Sequence, residues 1–557
     1  MRSPARLGPW KLALAVCAGA VLAVLASSLT LARWLPIYTD EIWWKAFRSR
    51  LFLDHGYASL HGLHLCTSHA AHPEPMFFLP FRVLDAWIYQ DMSNPLKLRI
   101  GGIAQFLVLL SLAIVMVARS LRCQGWQWGW AVLGVAAFFG LGVLPFAMVM
   151  NRPEPLSVIC LLGLALLALS QRPSLVLSAF AFVLGTGAIA YSIRALYFTP
   201  WVALALWKTA RSRPLQIALL VGWLAISVTS YRFYSAHASC PELPAYAGFI
   251  ARYRVNPADL VRVPLASFAR IAENVVATKA WFTHPEFKDR YMSDWLPPRR
   301  HEATLGDEPF NAGIRLVYAL WFVPGAILCL WPLVVPRASR IRADARYQLG
   351  LALAVCLIAS SALVNYKNDY EVLLALPLAL LALALIIGGW TGNDRAPVWL
   401  GRWIVAGVAL CAVVSLASMI HLRQSFAAIA DASWKRPGGV YAQPYSTSTV
   451  RTPESSQLVR TAAAACGIVP ARDLDRLVVD DWTISEFWEG TRPQYVFFLT
   501  TAGGIEFGAA DFFETYRHSD APGLITQCHF LPPQAQARAI HTRGLCCLPP
   551  ASHFSSR

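Results

Sequence analysis

Apolar stretches of roughly 18–23 residues recur along the first 421 residues, each long enough to cross a bilayer as a helix. Eleven fall near 11–33, 100–119, 128–150, 155–171, 174–192, 195–208, 214–232, 313–335, 347–365, 370–389 and 402–421, the sixth being the shortest. The first, preceded by Arg2, Arg6 and Lys11, has the flanks of a signal peptide. Its apolar core exceeds the usual length of about 7–15 residues, which favours an uncleaved first membrane helix. Two long connections, 34–99 and 233–312, mix apolar and charged residues in "EIWWKAFRSRLFLDHG" (41–56), "PMFFLPFRVLDAWIYQDM" (75–92) and the segment 246–282. These predict amphipathic helices lying along the membrane surface. After residue 422 the pattern changes. "SSQLVRTAAAACGI" (455–468) has helical spacing, whereas "RLVVDDW" (476–482) and "QYVFFLT" (494–500) are strand-like. The chain thus divides into a polytopic helical membrane part, 1–421, and a small α/β domain, 422–557, outside the membrane.

Composition agrees. Of 557 residues, 56% are hydrophobic and 14% charged, against about 25% charged in a soluble protein, and the mean hydropathy is +0.46. A net charge of +16 is compatible with a nucleic acid partner, but the basic residues sit in short connections between apolar runs. "ARSLRCQ" (118–124), "QRPS" (171–174), "KTARSRP" (208–214), "PRASRIRADAR" (336–346) and "TGNDRAPVWLGR" (391–402) all carry Arg or Lys. Cytoplasmic loops are enriched in such residues, so these five and the N-terminus are placed inside. Loops 34–99 and 233–312 and the tail then face outward, into the periplasm or exterior if the membrane is a bacterial inner membrane. Six of the twelve cysteines, Cys17, Cys123, Cys160, Cys329, Cys356 and Cys411, belong to the membrane part as packing residues. Cys66, Cys240, Cys466, Cys528, Cys546 and Cys547 fall on the outer side, where disulfides persist. Bridges from Cys466 or Cys528 to the Cys546–Cys547 pair, and from Cys66 to Cys240, are open pairings.

Charged residues recur where apolar runs meet the outer face: Asp40 and Glu41 in "LPIYTDEIWW", Arg152 and Glu154 in "NRPEP", Arg194 in "YSIRALYF", and Lys367, Asp369 and Glu371 in "NYKNDYE". Any one of them reads as a helix anchor or a snorkelling side chain. Four such connections at one level predict a polar cavity at the outer leaflet. This cavity suits a sugar carried on a polyprenyl phosphate, whose lipid stays in the bilayer while its head group reaches the surface. Transfer of that sugar needs a carboxylate to take a proton from the acceptor hydroxyl, for which Asp40 and Glu41 are candidates. It also needs cations, or a divalent metal ion, opposite the departing phosphate. Arg152, Arg194 and Lys367 are candidates, with Glu154 and Asp369 as supporting acids.

A first membrane helix followed by an Asp-Glu pair and a long outer loop with surface helices resembles the GT-C superfamily of integral membrane glycosyltransferases. That superfamily includes the protein O-mannosyltransferases and the aminoarabinose transferases acting on lipid A. "NRPEP" is similar to an Arg-Pro-Glu turn of its bacterial members, and "YKNDYEVLLALPLALLAL" (366–383) to a late segment of the family. The resemblance implies a GT-C-like fold and an inverting transferase for a polyprenyl-phosphate sugar, with an envelope lipid, glycan or protein as acceptor. It implies Asp40 as catalytic base, Glu41 as helper or metal contact, Glu154 as second acid, and Arg152 and Lys367 at the donor phosphate.

The alternative is a transporter or flippase for a lipid-linked substrate. Such proteins place ionisable residues near the membrane midplane and often carry inverted repeats, and neither is legible here. A scaffold whose tail binds envelope proteins is a third reading. Five histidines, His55, His61, His64, His69 and His72, lie near Glu74 without a zinc-type spacing. Asp480 and Asp481 read as a strand end and a helix N-cap, or as ligand-binding groups. Walker A, GxSxG, paired CxxC and HExxH motifs do not occur.

Overall fold

The computed structural model describes residues 71–88, 96–237 except 126, 143, 150, 171 and 172, then 255, 259–283, 307–363, 372–391, 398–434, 453–468, 478–480, 495–497, 516, 523–528 and 531–549, with isolated positions 15, 18, 19, 22, 26, 49 and 52. The span expected over 11–33 lies mostly outside these residues.

A 3₁₀ turn, Met76–Phe78, leads into α1 (Leu79–Ile88). The bundle follows as α2 (Leu96–Ser120), α3 (Gln127–Phe139), α4 (Leu144–Val149), α5 (Pro153–Ala168), α6 (Leu175–Tyr191), α7 (Thr199–Thr209), α8 (Arg213–His237), α9 (Pro264–Thr283), α10 (Asp307–Val334), α11 (Ala345–Leu363), α12 (Val372–Thr391) and α13 (Val398–Trp434). Each expected span from residue 100 onward falls on helix. Two are interrupted. The span at 128–150 breaks at Gly140–Gly142, where Gly142 holds a left-handed φ of +56° that side chains resist. The short sixth span begins as a 3₁₀ segment, Ile193–Phe198, ahead of α7.

Among the described residues, five helices are long and apolar enough to cross a membrane: Ile100–Ser120, Arg213–His237, Pro309–Val334, Ala345–Leu363 and Trp399–His421. Four shorter apolar helices accompany them. α12 is apolar all round, as a helix enclosed by its neighbours must be. It packs on α2, α5, α10 and α11, and Leu376, Leu378, Leu381 and Leu385 are buried along it. The outward faces of the surrounding helices expose Leu107, Phe180, Leu224, Val323, Ile358 and Val413. An outer surface this apolar fits hydrocarbon rather than water.

Small residues let the backbones approach closely, as helix contacts in lipid require. A Cβ at Gly102 would lie 2.2 Å from the Val149 carbonyl oxygen, and one at Gly388 would lie 2.1 Å from that of Ser120. The second approach is clamped by Arg346, which donates to the Ser120 carbonyl and to the Asp344 carboxylate at 2.6 Å. Half-buried Asp344 also accepts the Arg346 backbone N–H at 2.8 Å, capping α11. Partial burial works against its charge, but the hydrogen bonds and charge of Arg346 outweigh burial and hold its pKa below the ordinary 3.8. A depressed carboxylate contributes stability above its unfolded pKa and loses it as pH falls through the folded one. Asp344→Asn is therefore expected to cost about 1–3 kcal/mol near neutrality and progressively less below pH 4. Thermal unfolding of the detergent-solubilised protein across that range checks it.

α1 is amphipathic, as 75–92 predicts: Arg82, Asp85 and Ala86 are buried, while Val83, Leu84, Trp87 and Ile88 are exposed. The charged face meets the protein, because Arg82 finds the Glu74 carboxylate there. α9 likewise exposes Leu265, Phe268 and Val276. The segment 41–56 lies outside the described residues apart from Ser49 and Phe52.

The described tail contains α14 (Pro453–Ala465) and strands β1 (Val478–Asp480), β2 (Tyr495–Phe497), β3 (Leu524–Gln527), β4 (Ile540–Thr542) and β5 (Leu545–Leu548). They form one sheet in the order β2-β1-β3-β5-β4. β1 runs parallel to β2 and β3, whereas β5 runs antiparallel to β3 and β4. α14 packs on β3, β4 and β5. Adjacent residues of a strand face opposite sides, which separates the Cys546–Cys547 pair. Cys547 bridges Cys466 behind α14, and Cys546 bridges Cys528. Asp480 ends β1, and Asp481 lies outside the described residues. So do Cys66 and Cys240. Cys160, Cys329, Cys356 and Cys411 are unbridged and buried, as packing residues should be, and Cys123 is half-buried.

Candidate functional site

One end of the bundle gathers buried charge. It is formed by the start of α2, the α4–α5 junction, and the ends of α6, α8 and α11. The sequence "NRPEP" dictates the junction locally. A residue preceding proline is held extended, and Arg152 is so, with φ −118° and ψ 163°. Pro153 then opens α5, where its missing N–H costs nothing. This geometry turns Arg152 back over the first helical turn, where it grips Glu154. Nε and Nη2 donate to the two carboxylate oxygens at 3.0 and 2.9 Å. Such a fork-to-fork pair is among the stronger charge-assisted contacts. Both residues are buried, at 4% and 8% exposure, which makes the pair's integrity matter for folding.

Arg194 lies in the 3₁₀ segment after α6, half-buried, and adds a second positive charge attracting the Glu154 carboxylate. The Ser157 hydroxyl donates to the Ala188 carbonyl at 2.9 Å, tying α5 to the end of α6. Ahead of the junction, Asn151 is fully buried and accepts from Gln105 Nε2 on α2 at 2.8 Å.

A second ion pair covers the same helix end. Arg82 donates through Nε and Nη2 to Glu74 Oε1 at 3.0 and 2.7 Å, and through Nη2 to the Ala190 carbonyl at 2.8 Å. Burial disfavours the guanidinium charge, but Glu74, with smaller help from Tyr234 and Asp85, keeps its pKa above the ordinary value. Phe81, next to Arg82, sits against Gly187 of α6. Tyr234 on α8 closes the group by donating to the Ile189 carbonyl at 2.9 Å. Segments of the other long connection dock here too: Val255 N–H donates to the Leu363 carbonyl and Asn274 Nδ2 to that of Ala362.

The structure thus brings together Arg152, Glu154 and Arg194 of the residues expected from sequence. Asp40, Glu41, Lys367 and Asp369 lie outside the described residues, as do His55, His61, His64 and His69. His72 is exposed, and Glu74 beside it is committed to Arg82. Sequence reasoning missed Arg82, Gln105 and Asn151. The available signal was a lone arginine between Phe81 and Val83, a position where an uncompensated charge would be costly.

An apolar helical bundle with paired charges buried at one end is an integral membrane protein with an ionic site there. No protein-family model matches the chain, and no curated protein matches it. Similar solved structures include two of known identity. One is the crystal structure of ArnT from Cupriavidus metallidurans bound to undecaprenyl phosphate, at 12% identity and TM-score 0.45, covering 96% of this chain and 97% of that one. The other is the Archaeoglobus fulgidus oligosaccharyltransferase tethered to an acceptor peptide, at 14% identity and TM-score 0.39, covering 91% of this chain and 69% of that one. At these scores the likeness transfers no residue roles.

Proposed function

We propose that the protein is a membrane glycosyltransferase that moves a sugar from a polyprenyl-phosphate donor to an envelope lipid, glycan or protein. The observation that carries this reading is the pairing of Arg152 with Glu154, with Arg194 nearby, buried at the end of an apolar bundle. A lipid phosphate arriving from the bilayer meets cations there without leaving the membrane plane. In this reading Arg152 and Arg194 bind the donor phosphate, and Lys367 joins them. Glu154, with Asp369, holds the guanidinium groups in place between turnovers. Planar guanidinium forks match phosphate oxygens, and positive charge fixed in a water-poor site stabilises the anion that leaves. Asp40 accepts the proton of the acceptor hydroxyl as the new glycosidic bond forms, and Glu41 assists it. The reaction inverts the anomeric centre because the acceptor attacks opposite the phosphate. The site faces the periplasm of a bacterial inner membrane, and the sheet-bearing tail stands on the same side.

The reading requires the site to hold the lipid phosphate even without its sugar. A long-chain polyprenyl phosphate is expected to raise the melting temperature of the purified full-length protein. The uncharged polyprenol of equal length should not. Equal stabilisation by both lipids would remove the phosphate site.

A further inference from the structure

A separate set of metal-ligating side chains lies in the tail, on the sheet face turned away from the Cys466–Cys547 bridge. His541 on β4 stands directly across from Cys546 on β5. Cys546 in turn faces Thr526 on β3, and Cys528 follows two residues later, on the same side. His541 Nδ1 is 3.5 Å from both sulfurs. Its Nε2 lies 2.9 Å from the Gln536 carbonyl, which only accepts, so the ring proton resides on Nε2. Nδ1 therefore carries the ring's lone pair, its tautomer set by an outer partner as in metal-binding imidazoles, and Cys546 Sγ, also 3.8 Å from Nε2, lies beside the ring. The three ligand atoms lie within 4.8 Å of one another.

We propose that Cys528, His541 and Cys546 form a redox-gated site for a thiophilic divalent ion such as Zn²⁺, open when their disulfide is reduced. A dithiol supplies two electrons and two protons, breaking the Sγ–Sγ bond and becoming a disulfide itself. The ion then takes both sulfurs as thiolates, releasing the two thiol protons to water, and accepts the Nδ1 lone pair. Water completes the tetrahedron that Zn²⁺ adopts with two sulfurs and an imidazole. Each bridge joins a half-buried cysteine, Cys528 or Cys466, to a fully buried one, Cys546 or Cys547, and of these four cysteines Cys528 and Cys546 have the exposed His541 ring beside them.

The test uses the full-length protein in detergent, treated with a phosphine reductant that is removed before Co²⁺ is added as probe. The expected result is one Co²⁺ per chain with thiolate-to-cobalt charge-transfer absorption, absent from the unreduced protein. His541→Ala should weaken binding about tenfold or more, and the Cys528→Ser/Cys546→Ser pair should abolish the band. Three results overturn the proposal. One is no band when mass spectrometry after alkylation shows both thiols free. Another is a band that persists in the double-serine protein. The third is affinity unchanged by His541→Ala.

Discussion

Asp40→Asn is expected to lower sugar transfer by about 10²- to 10⁴-fold, the range that a positioned general base contributes. Asparagine keeps the size and hydrogen-bonding reach of the side chain but does not take the acceptor's proton. The loss should therefore fall on the chemical step, leaving polyprenyl phosphate binding and the unfolding temperature at wild-type values. The effect should also be largest at neutral pH and shrink with acceptors whose hydroxyls are already acidic. Retained turnover in a protein of normal expression and stability would remove Asp40 as the base.

Arg152→Ala is expected to act twice. It strands the Glu154 carboxylate at 8% exposure. Breaking a buried pair from one side costs about 3–5 kcal/mol. It also removes a guanidinium from the proposed phosphate site. The two effects separate in the double replacement Arg152→Met/Glu154→Leu, because swapping a whole buried pair for apolar residues of similar volume is often neutral. The double variant should regain most of the lost stability while remaining unable to bind the lipid phosphate. Recovery of transfer along with stability would make the pair purely structural. Nearby Arg194 gives the single variant a partial substitute charge, so the stability loss belongs at the lower end of the range.

The membrane helices were legible because hydrocarbon imposes one pattern on the chain. A run of about 20 apolar residues has few other readings. α12 is the clearest case, apolar on every side and enclosed in the structure as that composition demands. The Arg152–Glu154 grip was legible in outline, since prolines on both sides of Glu154 leave the turn few shapes. α1 was legible as an amphipathic helix but not in its orientation. Periodicity shows that a helix has two faces but not which one meets the protein, and here the charged face does, through Glu74 and Ala190. Arg82 was hidden for the same cause, because its partner carbonyl lies 108 residues away in sequence. Gln105 had no signal, being a neutral residue inside an apolar run, and Asn151, though it opens the quoted "NRPEP" turn, was overshadowed by the charges that follow it. The cysteine pairing required the strand register, which places Cys546 and Cys547 on opposite faces.

The most direct measurement is transfer itself. The purified wild-type protein, reconstituted in vesicles with a polyprenyl phosphate carrying a radiolabelled sugar, is given an envelope extract as acceptor source. The account predicts that the label leaves the lipid and becomes covalently attached to the acceptor, with free polyprenyl phosphate released in equal amount. Movement of the intact labelled lipid from one leaflet to the other, without cleavage of its sugar–phosphate bond, would contradict it.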